Sequence, residues 1–317
     1  MKRIHADPNI ATTDNEVLGV IPTAGAEIFA ILTRPTVEAN GWGVAILNGG
    51  ANNPSMGRNR MSVDIARNMA AQGFHVVRFD YHGVGESTGQ VAELRLDMPF
   101  VDDLVAVASW ARSNGVERLV LTGCCFGSRT ALASAPHIPS LAGMVFFGTP
   151  IRDFGKGARN KRMTRTAIDW SMWEFIRRGL RLRTLSGLFD ARRRTRYRRL
   201  VGAKIGFVSR KALKQLSAET APDLYWVSEG VLSQIEYIVE NSIPCVFVYD
   251  DKDEYYKEIT EAMKGRLGRL IEDPRSKVEI KLVDGRMVGR GRLIAESTLL
   301  DVVSRFAEQW RTDSSTG

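Results

Sequence analysis

Cysteine and histidine are scarce in this sequence of 317 residues, which contains 3 cysteines and 4 histidines. Two of the cysteines are adjacent, so a disulfide framework is excluded and reduced thiols are expected. No zinc-spaced cysteine set, phosphate-binding loop or dinucleotide fingerprint occurs, and we therefore expect no cofactor and no metal.

No apolar run approaches the ~18 residues of a membrane span, and the first residues lack the apolar stretch of a secretory signal. The expectation is a cytoplasmic protein.

Negative charge is scarce in one segment. The whole chain has a net charge of +8, but residues 151–214 contain 20 Lys and Arg against 4 Asp and Glu. That segment carries +16, which leaves −8 for the rest of the chain. Such an asymmetry indicates an acidic body with one basic insert, and the insert points to a partner of negative charge.

Outside this segment, short apolar runs alternate with helical patterns, which predicts a mostly parallel sheet covered by helices on both faces. Strands are predicted at residues 16–21, 27–33, 44–47, 75–79, 118–122, 141–147, 244–249 and 278–283. Helices are predicted at residues 62–72, 98–113, 257–270 and 293–310, and immediately after Cys125. The prediction is one α/β domain of about eight strands from residues 1–150 and 227–317, interrupted by a basic helical lid at residues 151–226.

The strongest chemical signal is a turn between a predicted strand and a predicted helix, with the sequence Gly123-Cys124-Cys125-Phe126-Gly127. A sharp turn of this kind strains and exposes its central residue, and the flanking glycines let neighbouring chain pass closely. The helix N-terminus favours negative charge and can lower the pKa of a thiol. We predict Cys125 as the nucleophile, the Phe126 N–H as an oxyanion-hole donor and Cys124 as a small core residue.

Two motifs make the chain resemble the α/β-hydrolases. One is this turn, and the other is Asp80-Tyr-His-Gly-Val-Gly-Glu-Ser87, which resembles the family's D-x-R-G-x-G-x-S loop with His82 in the place of arginine. The chain is similar to the serine-aminopeptidase-like branch. Within that branch it resembles the hydrolases encoded beside exosortase systems, which also carry a cysteine at the nucleophile turn. The resemblance spans most of the chain apart from the lid and implies an α/β-hydrolase fold.

The same resemblance implies further site residues. The loop after the third strand supplies the second oxyanion donor, for which the N–H groups of Gly50 and Ala51 are candidates, and Asn48 is a candidate substrate-binding residue. A plain Asn-Gly-Gly turn is the alternative. Asp253 stands in the position of the acid that would orient a base. The alternative for Asp253 is a solvated loop carboxylate.

The general base is what the sequence lacks. In this fold it is a histidine that follows the acid along the chain, and the approximate position holds Arg286 or Met287 instead. Arginine stays protonated and cannot act as an ordinary base. The histidines all precede Asp253: His5, His75, His82 and His137.

Four explanations stay open. His82 lies on a loop at the same edge of the sheet and could reach Cys125 as the base. A thiolate stabilised by the helix N-terminus and by lid arginines could attack without a base. The reaction could be a non-hydrolytic one on an unusual substrate. The site could also be catalytically dead and kept for binding.

The predicted lid has an aromatic part and an arginine-rich part. Trp170 and Trp173 lie in a helical pattern at residues 167–180 and could line a pocket for an acyl group or simply pack the lid on the body. Residues 192–199 could dock an acidic carrier protein, the phosphate of a carrier-bound substrate or an anionic membrane surface, or form a solvated helix face. Nucleic acid is the least favoured partner for this segment, because the sequence contains no nucleic-acid-binding motif.

These observations predict an acyl-transfer or hydrolytic enzyme acting on a free or carrier-bound ester or thioester. The alternative is a non-catalytic protein of the same fold that binds a hydrophobic or carrier-bound ligand. Attack of water on an acyl-enzyme normally needs a base. We therefore expect the missing histidine to impair hydrolysis more than transfer to a good nucleophile.

Overall fold

The computed structural model describes residues 9–13, 15–50, 53–90, 95–153, 227–251, 253–283 and 291–315. The chain divides into two compact units, residues 1–153 with 225–317, and residues 154–224. Every described residue belongs to the first unit. The predicted basic lid, including Trp170 and Trp173, lies outside the described residues except at 151–153 and stays a prediction.

Nine strands form one sheet in the order β1-β2-β3-β5-β4-β6-β7-β8-β9. The first three strands and the β3–β5 pair are antiparallel, and all remaining pairs are parallel. The strands are β1 (Asn9–Thr13), β2 (Glu16–Pro22), β3 (Glu27–Thr33), β4 (Trp42–Leu47), β5 (His75–Phe79), β6 (Arg118–Cys124), β7 (Leu141–Phe147), β8 (Cys245–Asp250) and β9 (Val278–Val283). The mostly parallel sheet of the sequence prediction is confirmed, and β1 is the strand that it did not include.

Helices cover the sheet in two groups. Helices α1 and α7 contact each other, and α2, α3 and α4 pack in a row. The helices are α1 (Met61–Ala70), α2 (Val101–Ser113), α3 (Phe126–Ser134), α4 (Glu229–Glu240), α5 (Glu254–Ala262), α6 (Arg266–Ile271) and α7 (Gly291–Ser315). None of the described helices is long and apolar enough to cross a membrane.

The core lies where the central strands meet these helices. Every residue of β4 and β5 is buried, because parallel strands with helices on both faces have no solvent-facing side. One apolar cluster joins α1 and α7 to the alternate residues of β4 through β8 that share a face: Val44, Ile46, Val76, Val120, Val145, Val246 and Val248. Alternation along each strand directs the intervening residues to the opposite face.

The helix predicted at residues 257–270 is wrong as a single element. Helix α5 ends at Ala262, and α6 begins only at Arg266. A Cβ on Gly268 would lie 1.9 Å from the Met263 carbonyl oxygen. The chain therefore folds back on itself so tightly at this point that only glycine fits.

The strand order places a crevice beside β4. The connection that leaves β4 runs through α1 to β5 on one side of it, and the connection that leaves the other neighbour, β6, runs through α3 to β7 in the opposite direction along the sheet. In open α/β sheets, ligands bind at the carboxyl ends of the strands where the order reverses in this way. The loop after β4 and the turn after β6 meet at this edge, which is where the sequence predicts the site.

Candidate active site

The turn between β6 and α3 has a strained backbone at its centre. Cys125 has φ 48° and ψ −114°, a conformation that residues with a side chain rarely adopt. Such strain persists only where the surrounding structure holds it and is concentrated at functional sites. The Ser128 hydroxyl donates to the Cys125 carbonyl oxygen at 2.7 Å and helps to hold the turn. The Cys125 side chain is partly accessible.

Glycines make this turn sterically possible. A Cβ on Gly127 would lie 2.6 Å from the Leu47 carbonyl oxygen, and one on Gly123 would lie 2.9 Å from the same atom. A Cβ on Gly49 would lie 2.4 Å from the sulfur of Cys124. The end of β4 and the turn thus approach each other too closely for side chains, and the predicted reason for glycine at 123 and 127 is confirmed.

The predicted oxyanion donors lie on the two sides of this contact. The Phe126 N–H donates to the Gly49 carbonyl oxygen at 3.4 Å, a distance that marks a weak bond, and it acts in the direction that lowers the pKa of the Cys125 thiol. The Gly50 carbonyl oxygen accepts from the Asn53 N–H at 3.1 Å, which shapes the loop after β4. Ala51 lies outside the described residues.

Asn48 holds this loop in place. Its side chain is buried, and its amide donates to the Pro54 carbonyl oxygen at 3.1 Å. The contact ties the end of β4 to residues that follow the loop. Contact with a substrate stays a prediction.

The predicted acid begins α5. Oδ1 of Asp253 accepts the Tyr255 N–H at 2.9 Å and caps the helix. A Cβ on Gly148 would lie 2.9 Å from Oδ2 of Asp253, so the carboxylate packs against the end of β7. It also lies close enough to Cys125 to act on the thiol through its charge. The structure therefore brings the predicted nucleophile and the predicted acid together.

The thiol of Cys125 is not acidic in these surroundings. Burial raises its pKa above the ordinary value of 9.0 and is the largest cause. The N–H of Phe126, the hydroxyl of Tyr255 and the charge of Arg129 act in the lowering direction, whereas the negative charge of Asp253 raises the pKa. Among the described residues, the helix N-terminus does not outweigh burial. The arginines of the predicted lid lie outside that part of the chain.

Cys124 is exposed, and the expectation of a core residue is wrong. At the end of β6 its sulfur lies against Gly49 in the facing loop, and not beneath the sheet. Burial nevertheless raises its pKa to about 11, ahead of the effect of the Cys125 charge.

His82 is placed with a different carboxylate. Its Nδ1 lies 2.8 Å from Oδ2 of Asp103, and its backbone N–H donates to the same oxygen at 2.9 Å. Its ring lies 4.2 Å from that of Phe100. These residues line a cavity of about 310 Å³ between the β2–β3 turn and the start of α2. His82 is absent from the groups that shift the pKa of Cys125 among the described residues, and its role as a base stays a prediction.

The loop that carries His82 is held by Asp80. The Asp80 carboxylate accepts the N–H groups of Ser55 at 2.5 Å and Glu86 at 3.0 Å. A Cβ on Gly85 would overlap the same carboxylate, and the Ser87 hydroxyl donates to the Asp80 carbonyl oxygen at 2.7 Å. The motif therefore builds a rigid loop at the edge of the crevice.

Arg129 is a site residue that sequence reasoning missed. Its guanidinium is buried one helical turn after Cys125, where it donates to Oδ1 of Asp153 at 2.6 Å, to the Ser228 hydroxyl at 3.3 Å and to the Pro150 carbonyl oxygen at 3.4 Å. These partners come from both sides of the segment at residues 154–226. Arg129 follows Cys125 by four residues, a spacing that places two residues on the same face of a helix, and this spacing could have indicated it as a site residue.

Tyr255 is the second missed residue. Its hydroxyl acts in the direction that lowers the pKa of the Cys125 thiol, and its ring lies over the end of β7, where a Cβ on Gly148 would lie 3.8 Å from Cδ2. The signal was its position two residues after the predicted acid, in the first turn of a helix that the acid caps. The expected histidine position, with Arg286 and Met287, lies outside the described residues, as does His5. His75 is buried in β5, and burial lowers its pKa.

The fold and the strained turn together define the class, and this chain is an α/β-hydrolase-fold protein. Residues 56–203, somewhat less than half of the chain, match the family described as serine aminopeptidase, S33. This match supports the resemblance to that branch of the α/β-hydrolase superfamily. It does not extend to a link with exosortase systems or to the cysteine at the nucleophile position.

Individual proteins agree with this placement. The chain is 27% identical over 141 residues to a Yersinia pestis protein named provisionally as a carboxymethylenebutenolidase, a match that covers 40% of this chain and 51% of that protein. The chain therefore spans about half the length of that relative. The family and the relative are both named for enzymes, and they support the prediction that this chain is an enzyme.

Solved structures share the whole fold. The proline iminopeptidase of Mycobacterium smegmatis has a TM-score of 0.54 and 16% identity, with 92% of this chain and 99% of that chain covered. An esterase of Pyrococcus furiosus has a TM-score of 0.55 and 14% identity, with 92% and 90% covered. At these identities the likeness establishes the fold alone.

Proposed function

We propose that this chain is an acyl-transfer or hydrolytic enzyme for esters or thioesters, with Cys125 as its nucleophile. The observation that carries the proposal is the backbone of Cys125, which is strained to φ 48° at the tip of the β6–α3 turn. This strain presents a partly accessible thiol at the edge where the strand order reverses. The name of the Pyrococcus furiosus neighbour, an esterase, supports substrates with an ester-like carbonyl.

In the first half of the reaction, the Cys125 thiol loses its proton to solvent, and the thiolate sulfur then attacks the carbonyl carbon. The tetrahedral oxyanion accepts the Phe126 N–H and an N–H of the loop after β4, for which Gly50 is the described candidate. The weak bond from Phe126 to the Gly49 oxygen has to give way to this stronger, charged acceptor. Collapse breaks the bond to the leaving group and forms an acyl-enzyme.

The leaving group decides which substrate suits this site. A thiolate leaves a thioester about as readily as the cysteine thiolate attacks it, because the two thiols have similar acidities. An ester releases an alkoxide, which needs a proton from a positioned acid. Because no described histidine contacts Cys125, we propose thioesters as the preferred substrates. We also propose a good nucleophile, rather than water alone, as the acyl acceptor.

The test compares turnover of an acyl thioester with and without a thiol acceptor. Cys125→Ala is expected to lose at least about 10³-fold in rate, as removal of a nucleophile does elsewhere. Cys125→Ser is expected to fall at least about 100-fold, because a hydroxyl without a base holds its proton far more strongly than a thiol. Cys245→Ala, which removes a fully buried thiol in β8, is the matched control and keeps its activity.

Two outcomes would count against this proposal. Full activity in Cys125→Ala would show that Cys125 is not the nucleophile. Full activity in Cys125→Ser would mean that a base acts at the site after all, in the manner of a serine hydrolase.

A second candidate is a non-catalytic protein that binds a hydrophobic or carrier-bound acyl ligand. The raised pKa of Cys125 and the nearby negative charge of Asp253 favour it, since both oppose the thiolate. An acyl compound that binds equally to the native protein and to Cys125→Ala, without turnover in either, would support this alternative. For either function we propose that residues 192–199 contact an acidic carrier protein or an anionic membrane surface.

A further inference from the structure

A histidine and a buried carboxylate are bonded to each other twice at the edge of the sheet that carries the nucleophile turn. Nδ1 of His82 lies 2.8 Å from Oδ2 of Asp103, and the His82 backbone N–H donates to the same oxygen at 2.9 Å. The Asp103 side chain is 5% exposed, so these donors stand in for water around its charge. An ionised carboxylate only accepts, and the ring nitrogen that faces it is therefore assigned as a donor.

A series of ring contacts joins this pair to the predicted oxyanion donor. The His82 ring centroid lies 4.2 Å from that of Phe100, and the Phe100 centroid lies 4.9 Å from that of Phe126. The ring of Tyr81 lies 5.4 Å from that of Phe100 and 5.7 Å from that of Phe126. Because Tyr81 and Phe126 are fully buried, a shift of one ring in this cluster has to be taken up by the others.

The cluster touches the starts of two helices. Phe100 immediately precedes α2, and Asp103 lies in the first turn of that helix, so the bonds from His82 hold the start of α2 and Phe100 with it. Phe126 is the first residue of α3, and its N–H bonds the Gly49 oxygen at a long 3.4 Å. With so weak a bond, the packing of the Phe126 ring has the larger part in fixing where this N–H points.

We propose that His82 is a positioning residue that holds the Phe126 N–H in place for the oxyanion, through Asp103 and the ring cluster. This inference rests on the proposed function, in which that N–H is an oxyanion donor. Among the described residues, no hydrogen bond joins the His82 ring to the Cys125 sulfur, whereas its contacts with Asp103 and Phe100 are close. His82 therefore acts on the reaction through the oxyanion and does not take the proton of the thiol.

The competing role uses the same bond, since a carboxylate on Nδ1 is also the arrangement that lets Nε2 of a histidine act as a base. Arginine, the usual residue of the resembled motif at position 82, separates the two roles. A guanidinium can donate to Asp103 and lie against the Phe100 ring, but it cannot take up a proton. His82 lines the cavity of about 310 Å³ with both of these residues, so a longer side chain has room there.

The experiment compares His82→Ala and His82→Arg in the turnover of an acyl thioester. His82→Ala is expected to lower kcat by about tenfold to 100-fold and to change KM less than about twofold, because a misplaced donor weakens the transition state more than the bound substrate. His82→Arg keeps a donor for Asp103 and is expected to stay within about threefold of the native kcat, with an unchanged pH profile. His137→Ala removes an exposed histidine that follows α3 and is the matched control.

Hydrogen–deuterium exchange of the peptide that contains Phe126 is the second measurement, and it needs no substrate. Exchange is expected to rise severalfold in His82→Ala and to stay native in His82→Arg and in His137→Ala, because only the first variant removes the donor that holds the start of α2. Should His82→Ala fail to fold, His82→Arg decides alone, because arginine can replace a donor and cannot replace a base.

Two results would overturn the proposal. A loss of about 100-fold or more in His82→Arg, with native exchange at Phe126, would make His82 the base. Native kcat and native exchange in His82→Ala would show that the pair has no part in the site, and the proposed function would still stand if Cys125→Ala is inactive. If Cys125→Ala instead keeps full turnover while exchange at Phe126 still depends on His82, the cluster holds the turn and it is the proposed function that fails.

Discussion

At the residue scale, burial and the neighbouring groups act in opposite directions on the pKa of the Cys125 thiol. Cys125 has a strained backbone at the tip of the β6–α3 turn, but its surroundings favour the protonated thiol, because burial removes the water that would solvate a thiolate. The Phe126 N–H, the Tyr255 hydroxyl and the charge of Arg129 act in the direction that lowers the pKa, without outweighing burial. The strained backbone therefore fixes where the sulfur lies, and the neighbouring groups decide how often it is ionised.

This balance predicts the pH dependence of alkylation. With its pKa raised above 9.0, Cys125 is expected to react with iodoacetamide more slowly at pH 7.5 than a free thiol, and its rate is expected to keep rising beyond pH 9. The sign follows because a raised thiol pKa lowers the thiolate fraction at every lower pH. The measurement is the pH–rate profile of the Cys125 peptide, with glutathione as the reference. A plateau below pH 8 would show that groups outside the described residues activate the thiol.

Asp253 provides a second prediction. Its carboxylate could act as a negative charge beside Cys125 or as the partner of a histidine base, and the two roles predict different effects of removing the charge. Its negative charge raises the pKa of Cys125, so Asp253→Asn is expected to speed alkylation. Asparagine caps helices about as well as aspartate, so the start of α5 should survive. If Asp253 instead orients a histidine base, the same change should lower turnover by orders of magnitude, as it does in a complete triad. Asp251→Asn, at an exposed position in the same loop, is the control for both readouts.

At the scale of elements, the sequence predicts strands better than turns. The predicted bounds of β3, β5, β7 and β9 agree with the structure, because short runs of apolar or alternating apolar and charged residues with clear stops leave little choice. The break between α5 and α6 was missed because it depends on a backbone contact between Met263 and Gly268 that no periodicity shows. Cys124 was misplaced because the chain leaves the strand alternation at the turn itself.

The close approach of β4 to the β6–α3 turn is testable at Gly127. A Cβ there would lie 2.6 Å from the Leu47 oxygen and 2.8 Å from the Asn48 oxygen, both backbone atoms that cannot move aside cheaply. Gly127→Ala is expected to destabilise the protein by about 2–4 kcal/mol, in the range of other strained or overpacked substitutions. The measurement is the free energy of unfolding from urea denaturation.

Gly230→Ala in the first turn of α4 is the matched control for this change. Its nearest neighbours would lie 3.6 Å or more from the new Cβ, and alanine is favoured over glycine in helices by about 0.5–1 kcal/mol. This variant should therefore be as stable as the native protein or slightly more so. A Gly127→Ala protein as stable as the Gly230→Ala protein would contradict the close packing of the turn.

At the scale of the whole molecule, the predicted site is assembled from segments far apart in the sequence. The placement of Cys125, Asp253 and the loop after β4 at one edge of the sheet could be predicted, because each follows a strand whose carboxyl end lies there. The contacts of Tyr255 and Arg129 could not, since they depend on how helices that are distant in sequence pack over that edge. Arg129 extends this assembly to both flanks of residues 154–226, where Ser228 also donates its N–H to the Ile151 oxygen at 2.9 Å.

Arg129→Met tests whether one buried guanidinium holds these flanks together. The change removes the bonds to Pro150, Asp153 and Ser228 while keeping a side chain of similar length. Because hydrogen bonds to a charged group contribute ~1.5–3 kcal/mol each, amide exchange of Ser228 and its neighbours is expected to rise about tenfold or more. Arg112→Met, at an exposed position near the end of α2, removes the same charge from the surface and should leave this exchange unchanged. Hydrogen–deuterium exchange by mass spectrometry makes the comparison. Equal exchange in both variants would mean that the flanks are held by their own backbone bonds, and that Arg129 acts only as a positive charge behind Cys125.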